Sequence, residues 1–70
     1  MREYLKSMRE SLHMSQQNVA DGIGITRQYY QQIENGERQK KMDMPLLEKI
    51  STVLSQPLSV LIEKEKENSL

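Results

Sequence analysis

Residues 15 to 36 read SQQNVADGIGITRQYYQQIENG, and their restraints fall where two short helices joined by a tight turn need them. Ser15 offers its hydroxyl to the unpaired N–H groups that open a helix, and Met14 before it is placed to staple against Val19. The spacing therefore predicts a helix starting at about Gln16. Ala20 is small where the second helix must pass close by, Gly24 supplies the positive φ that ends the first helix, and Thr26 caps the next. Val19, Ile23, Ile25, Tyr30 and Ile33 then form one connected apolar underside.

Placing residues 26 to 36 at about 100° each puts Thr26, Tyr30 and Ile33 on one side of the second helix, and Gln28, Gln31, Gln32 and Asn35 on the other. The outward face is all amide, with Arg27 and Tyr29 flanking it near the N-terminal end. Glutamine and asparagine can donate to and accept from the N6/N7 edge of adenine at once, and arginine pairs with the O6/N7 edge of guanine. Glutamine is also an ordinary solvated helix former. What favours a reading face is the capped, glycine-punctuated pair in front of it, the arrangement of a helix-turn-helix whose second helix enters the major groove.

Working outward, a helix over residues 2 to 13 places Leu5, Met8 and Leu12 on one stripe with Tyr4 at its edge. Leu46, Leu47, Ile50, Val53 and Leu54 repeat at helical spacing behind Asp43, an N-cap candidate, while Pro45 sits in the first turn where its missing N–H costs little. Pro57 opens a last short helix carrying Leu58, Leu61 and Ile62 before a charged tail that frays. The expectation is an all-α, compact five-helix domain over residues 1 to 65, with residues 66 to 70 as tail. No internal repeat, linker or period-2 strand pattern interrupts it.

Composition narrows the function classes. A chain of seventy residues makes one domain and buries only roughly 60% of its unfolded surface, so stability is expected to be marginal. Cysteine is absent, which removes disulfides and thiolate metal sites. His13 is the sole histidine and has no second ligand of its kind, so a metal centre is not expected, and neither is any other cofactor. Gly22 and Gly24 lack the remaining spacing of a phosphate loop, and no catalytic constellation is left. No apolar run approaches the roughly 18 residues that span a bilayer and the N-terminus lacks the apolar core of a signal peptide, which points to a soluble, cytoplasmic protein without a membrane partner.

The net charge of zero argues against a generic polyanion binder, because nonspecific affinity scales with the phosphates neutralised. Its distribution is uneven. Residues 1 to 41 carry seven basic and five acidic side chains and residues 42 to 70 carry three and five, so the halves are +2 and −2. Arg27, Arg38, Lys40 and Lys41 run from the second motif helix into the next loop, where phosphates of a groove-bound duplex would lie. In that loop a solvated charged segment is the plainer reading, but the motif beside it favours phosphate contact.

These residues resemble the phage repressor and Cro-like helix-turn-helix family, also called the Xre family, whose fold is the lambda-repressor-like domain. The likeness runs over residues 15 to 36, continues through LLEKISTVL at residues 46 to 54 and includes Leu5, Arg9 and Leu12 ahead of the motif. The resemblance implies that Arg27, Gln28 and Gln32 read bases, with Tyr29, Gln31 and Asn35 as auxiliaries. It implies phosphate contacts for Gln16, which would also brace the first reading side chain, and for Thr26, with Arg38, Lys40 and Lys41 beside them. The helical wheel turns Glu34 toward the core, where a carboxylate needs a cationic partner. The family pairs such a glutamate with an arginine of its first helix, which implies Arg9 with Glu34 in a structural ion pair.

Two departures stand out. The segment ERQKKM at residues 37 to 42 is about two residues longer than the common family loop, and Ser55 and Gln56 stand where the family usually has a glycine and an apolar residue. Val60 lies off the apolar face of the last helix and is expected to be exposed in a monomer, as an innocuous position or as part of a two-fold contact with Leu58 and Leu61. The implied function is a sequence-specific transcriptional regulator, a repressor by resemblance, binding an inverted-repeat operator on double-stranded DNA as a homodimer. The alternative is an antitoxin-like module that masks a protein partner and autoregulates through DNA. An architectural binder fits poorly, since a neutral chain with an amide face is unsuited to affinity from charge alone.

Overall fold

In the computed structural model, which describes residues 1 to 68, the chain folds as α1 (Glu3–Ser11), α2 (Gln16–Ile23), α3 (Arg27–Asn35), α4 (Met44–Val53) and α5 (Leu58–Asn68). There is no strand among the described residues. The starts of α2, α3 and α4 are capped where the sequence marks them. The Ser15 hydroxyl accepts from the Asn18 amide and the Asn18 side chain accepts in return from the Ser15 amide, closing a capping box at α2. Thr26 accepts from the amide of Tyr29 at α3, and Asp43 accepts from the amide of Leu46 at α4, with Pro45 in the first turn. Gly24 and Gly36 close α2 and α3 in the left-handed conformation, at φ 89° and 82°.

The motif helices α2 and α3 pack on each other, α4 lies against α2, α5 against α4, and α1 against α3. Between them sits one core, built from Leu5, Val19, Ala20, Ile23, Tyr30, Ile33, Met42, Leu47, Ile50, Leu54 and Leu61. Gly22 has a packing reason of its own. A Cβ there would stand 2.9 Å from Val53 Cγ2, so the glycine is what lets α4 approach α2 this closely.

Several expectations are corrected. The first helix is shorter than residues 2 to 13, and His13 turns the chain away at φ 56°; Leu12 is consequently 41% exposed instead of joining the stripe of Leu5 and Met8. Residues 66 to 68, expected in the tail, extend α5, which at eleven residues is not short; the remaining tail residues 69 and 70 lie outside the described residues. Leu61 is fully buried within the single chain and so has no surface to give a dimer, while Val60 is half-buried, not exposed. Ser55 adopts φ 54°, the conformation that a glycine takes without strain.

Candidate nucleic-acid interface

The site is organised around a carboxylate. Glu34 is only 1% exposed on the inner side of α3, and a buried charge of this kind is tolerated only when it is paired and hydrogen-bonded. Arg9, reaching across from α1, supplies both: its Nε donates to Oε2 at 3.1 Å and its Nη2 to Oε1 at 3.0 Å, while Nη1 donates to the Met14 carbonyl at 3.1 Å. Gln16 adds a longer bond from its Nε2 to Oε1 at 3.4 Å. One side chain thus joins α1, α2 and α3 and fixes the angle at which α3 stands out from the body.

Burial alone would push the Glu34 carboxyl up, but the hydrogen bonds and charge of Arg9 outweigh it and hold the group below the usual carboxylate range. The hydrogen bonds to Glu34 in turn raise the Arg9 guanidinium further. The Tyr30 hydroxyl is buried beside the pair and near enough to bias its ionisation, yet it meets hydrogen-bond geometry with no partner among the described residues. We therefore assign the closing bonds to Arg9. Desolvation, then the adjacent Glu34 charge, lift the Tyr30 phenol well above the ordinary tyrosine range, so it stays neutral.

On the opposite side of α3, Arg27, Gln28, Gln31 and Asn35 are exposed together. An α-helix with its side chains is about 10 to 12 Å across, the width of a major groove, and the nine residues of α3 make about 13.5 Å of it. Gln32 is half-buried, and its Oε1 accepts from Arg38 Nε at 3.0 Å, which ties its amide to the loop. Tyr29 is half-buried against the core, and its hydroxyl accepts from Gln39 Nε2 at 2.8 Å, so it is more a support of the loop than a free reader. Thr26 is exposed; accepting from the Tyr29 amide leaves its own hydroxyl proton to donate. Arg38, Lys40 and Lys41 are exposed in the loop after α3.

Sequence reasoning missed Arg2. It is 1% exposed, and its five N–H donors meet five acceptors. Nε and Nη2 pair with Glu65 at 2.8 and 3.2 Å, Nη1 donates to the carbonyls of Ile33 and Arg38 at 2.6 and 3.2 Å, and Nη2 also bonds the Gln39 carbonyl. Tyr4 donates its hydroxyl to the same Glu65. No local pattern marks Arg2, since its side-chain partners lie 31 to 63 positions away.

The described residues hold no cluster of histidine, cysteine or carboxylate groups suited to a metal, and no helix long and apolar enough to cross a membrane. Comparison with known proteins agrees with this geometry. A family model described as helix-turn-helix matches residues 5 to 61. The chain is 40% identical over 63 residues to a Bacillus subtilis (strain 168) protein named as an uncharacterized HTH-type transcriptional regulator, YqaE; the match takes in 90% of this chain and 53% of that protein, so the chain spans about half the length of the relative. No solved structure matches it. With its two capped motif helices, its left-handed Gly24 turn and a match that covers most of its length, the chain belongs to the Xre-type helix-turn-helix family.

Proposed function

We propose that this chain is a sequence-specific DNA-binding transcriptional regulator that lays α3 in the major groove and acts as a homodimer on an inverted repeat. The observation that carries this reading is the amide face of Gln28, Gln31 and Asn35, with Arg27 beside it, standing exposed on a helix whose orientation is fixed from below by a buried ion pair. In the reading proposed, Arg27, Gln28 and Gln32 contact base edges, Gln31 and Asn35 assist, and Gln16, Thr26, Arg38, Lys40 and Lys41 contact phosphate.

Size supports the dimer in this reading. The longest dimension of the described chain is 28 Å, whereas reading heads on two half-sites stand roughly 34 Å apart, so one chain reads one half-site. Leu58 and Val60, both half-buried on α5, are the apolar positions we assign to the two-fold contact. Resemblance to the phage repressors, together with the printed name of the Bacillus relative, supports regulation, and repression by occupying the operator is the mode proposed.

Selection of bound duplexes from a random pool at moderate salt tests the proposal. An enriched inverted repeat is expected, and a pool that stays unenriched refutes specific reading. Sedimentation of Val60→Asp, chosen because the position is not part of the buried core, is expected to show a lighter species; an unchanged mass removes α5 from the contact.

A further inference from the structure

We propose that Arg2 is a positioning residue for DNA binding: from the side of the domain away from the bases, its guanidinium locks the basic loop after α3 in the shape that meets the phosphate backbone. The proposal rests on the regulator reading above and goes beyond it, because Arg2 lies outside the motif and is too buried to touch a duplex.

The geometry is that of a two-sided lock. On the inner side, Arg2 holds the carbonyls of Arg38 and Gln39 and is itself held by Glu65 of α5. On the outer side, the side chains of the same two residues go to α3: Arg38 donates to Gln32 and Gln39 donates to the Tyr29 hydroxyl. Gln39 sits at φ 53°, a strained conformation for a non-glycine residue, and the Arg2 bond to its carbonyl helps to hold it there. Lys40 and Lys41 follow directly, exposed and beyond the lock, so their direction depends on it.

Only arginine serves in this place. Its planar fork carries five donors in fixed directions, enough for one carboxylate and three carbonyls at once, whereas the ammonium of lysine is a point charge with three. A lysine there keeps a charge for Glu65 but cannot also span Ile33, Arg38 and Gln39.

The test compares wild type with Arg2→Lys, and with Glu65→Gln as a milder variant that stays informative if the first does not fold. Each is measured at a temperature where circular dichroism shows it fully folded, on the selected duplex and on a scrambled one, across a salt titration. The expected result is affinity lower by roughly tenfold on both duplexes, with the ratio between them unchanged and the slope of log K against log salt smaller by about one to two, the signature of lost phosphate contacts. Nitrogen-15 relaxation without DNA is expected to show order parameters for residues 38 to 41 falling toward about 0.6 while those of α3 stay near about 0.85. Folded variants that keep wild-type affinity, slope and loop order overturn the role of Arg2. Wild-type protein that binds no duplex refutes instead the regulator reading, a different outcome read from a different sample.

Discussion

Replacing Arg9 by methionine leaves the Glu34 carboxylate buried with only the long Gln16 bond for company. Two hydrogen bonds to the carboxylate and one to the Met14 carbonyl disappear together. Breaking one side of a buried pair typically costs about 3 to 5 kcal/mol. A domain of seventy residues has, at the usual 0.05 to 0.15 kcal/mol per residue, a total of roughly 3.5 to 10 kcal/mol to lose. Arg9→Met is therefore expected to lie near the edge of folding, with any loss of DNA binding following from instability. The two partners are not equivalent. Arg9 keeps 11% of its side-chain surface in water and Glu34 keeps 1%, so Glu34→Gln, which leaves the charge that can still be hydrated, is expected to cost about 1 to 3 kcal/mol. The double variant should be more stable than Arg9→Met alone, because the stranded charge is gone.

Urea denaturation at several pH values decides the matter. Because the folded carboxyl of Glu34 titrates below its unfolded value of about 4.3, its contribution is fully present above that pH and is lost as the pH falls through the folded value. In Arg9→Met the carboxyl is buried without its cation, its folded value lies above the unfolded one, and acidification from neutral pH is expected to restore stability instead of removing it. An Arg9→Met variant that loses under about 1 kcal/mol, or that is destabilised by acid like wild type, refutes the reasoning.

Other outcomes follow from particular residues. Ser55→Gly relieves a left-handed φ of 54° and is expected to raise stability in urea by about 0.5 to 1 kcal/mol; a loss would mean that the serine is held there by more than the turn. Gly22→Ala gains about 1 kcal/mol of helix propensity but drives a Cβ against the stiff Val53 side chain at 2.9 Å, so a net loss of about 1 to 2 kcal/mol is expected, reversed in part by Val53→Ala. Gln28→Ala is expected to relax base preference at one operator position at a cost of about 1 to 3 kcal/mol, measured by repeating the duplex selection; an unchanged profile removes Gln28 from the readers. Lys40→Ala, by contrast, should weaken all sequences alike and lower the salt slope by about one.

What the sequence makes legible here is local chemistry. Ser15, Thr26 and Asp43 cap helices because their oxygens reach amides three residues on, and Gly24 ends a helix because no Cβ opposes a positive φ. The inward turn of Glu34 is also readable from helical phase, although its partner came from family resemblance and not from spacing. Distance in the chain hides the rest. Met42 sits in a stretch of charges and polar residues yet closes the core. Leu12 has the right phase for the core but falls past the end of α1, where phase no longer governs direction. Gln32 and Tyr29 look like free surface residues until Arg38 and Gln39 fold back on them.

The bridge between Arg2 and Glu65 also bears on the order in which the molecule assembles. Helix pairs such as α2 with α3 meet after a turn of only a few residues, and contacts this local form fast because little loop entropy is spent in closing them. Arg2 and Glu65 are 63 positions apart, which makes their meeting one of the costliest closures in the fold. It is expected to form late on the way in and to open early on the way out. A partial opening at the chain's two ends would free the loop of residues 38 to 41 while α2 and α3 stay folded on each other. On the regulator reading proposed above, such an opening is expected to leave α3 whole while the loop alone loses its fixed shape.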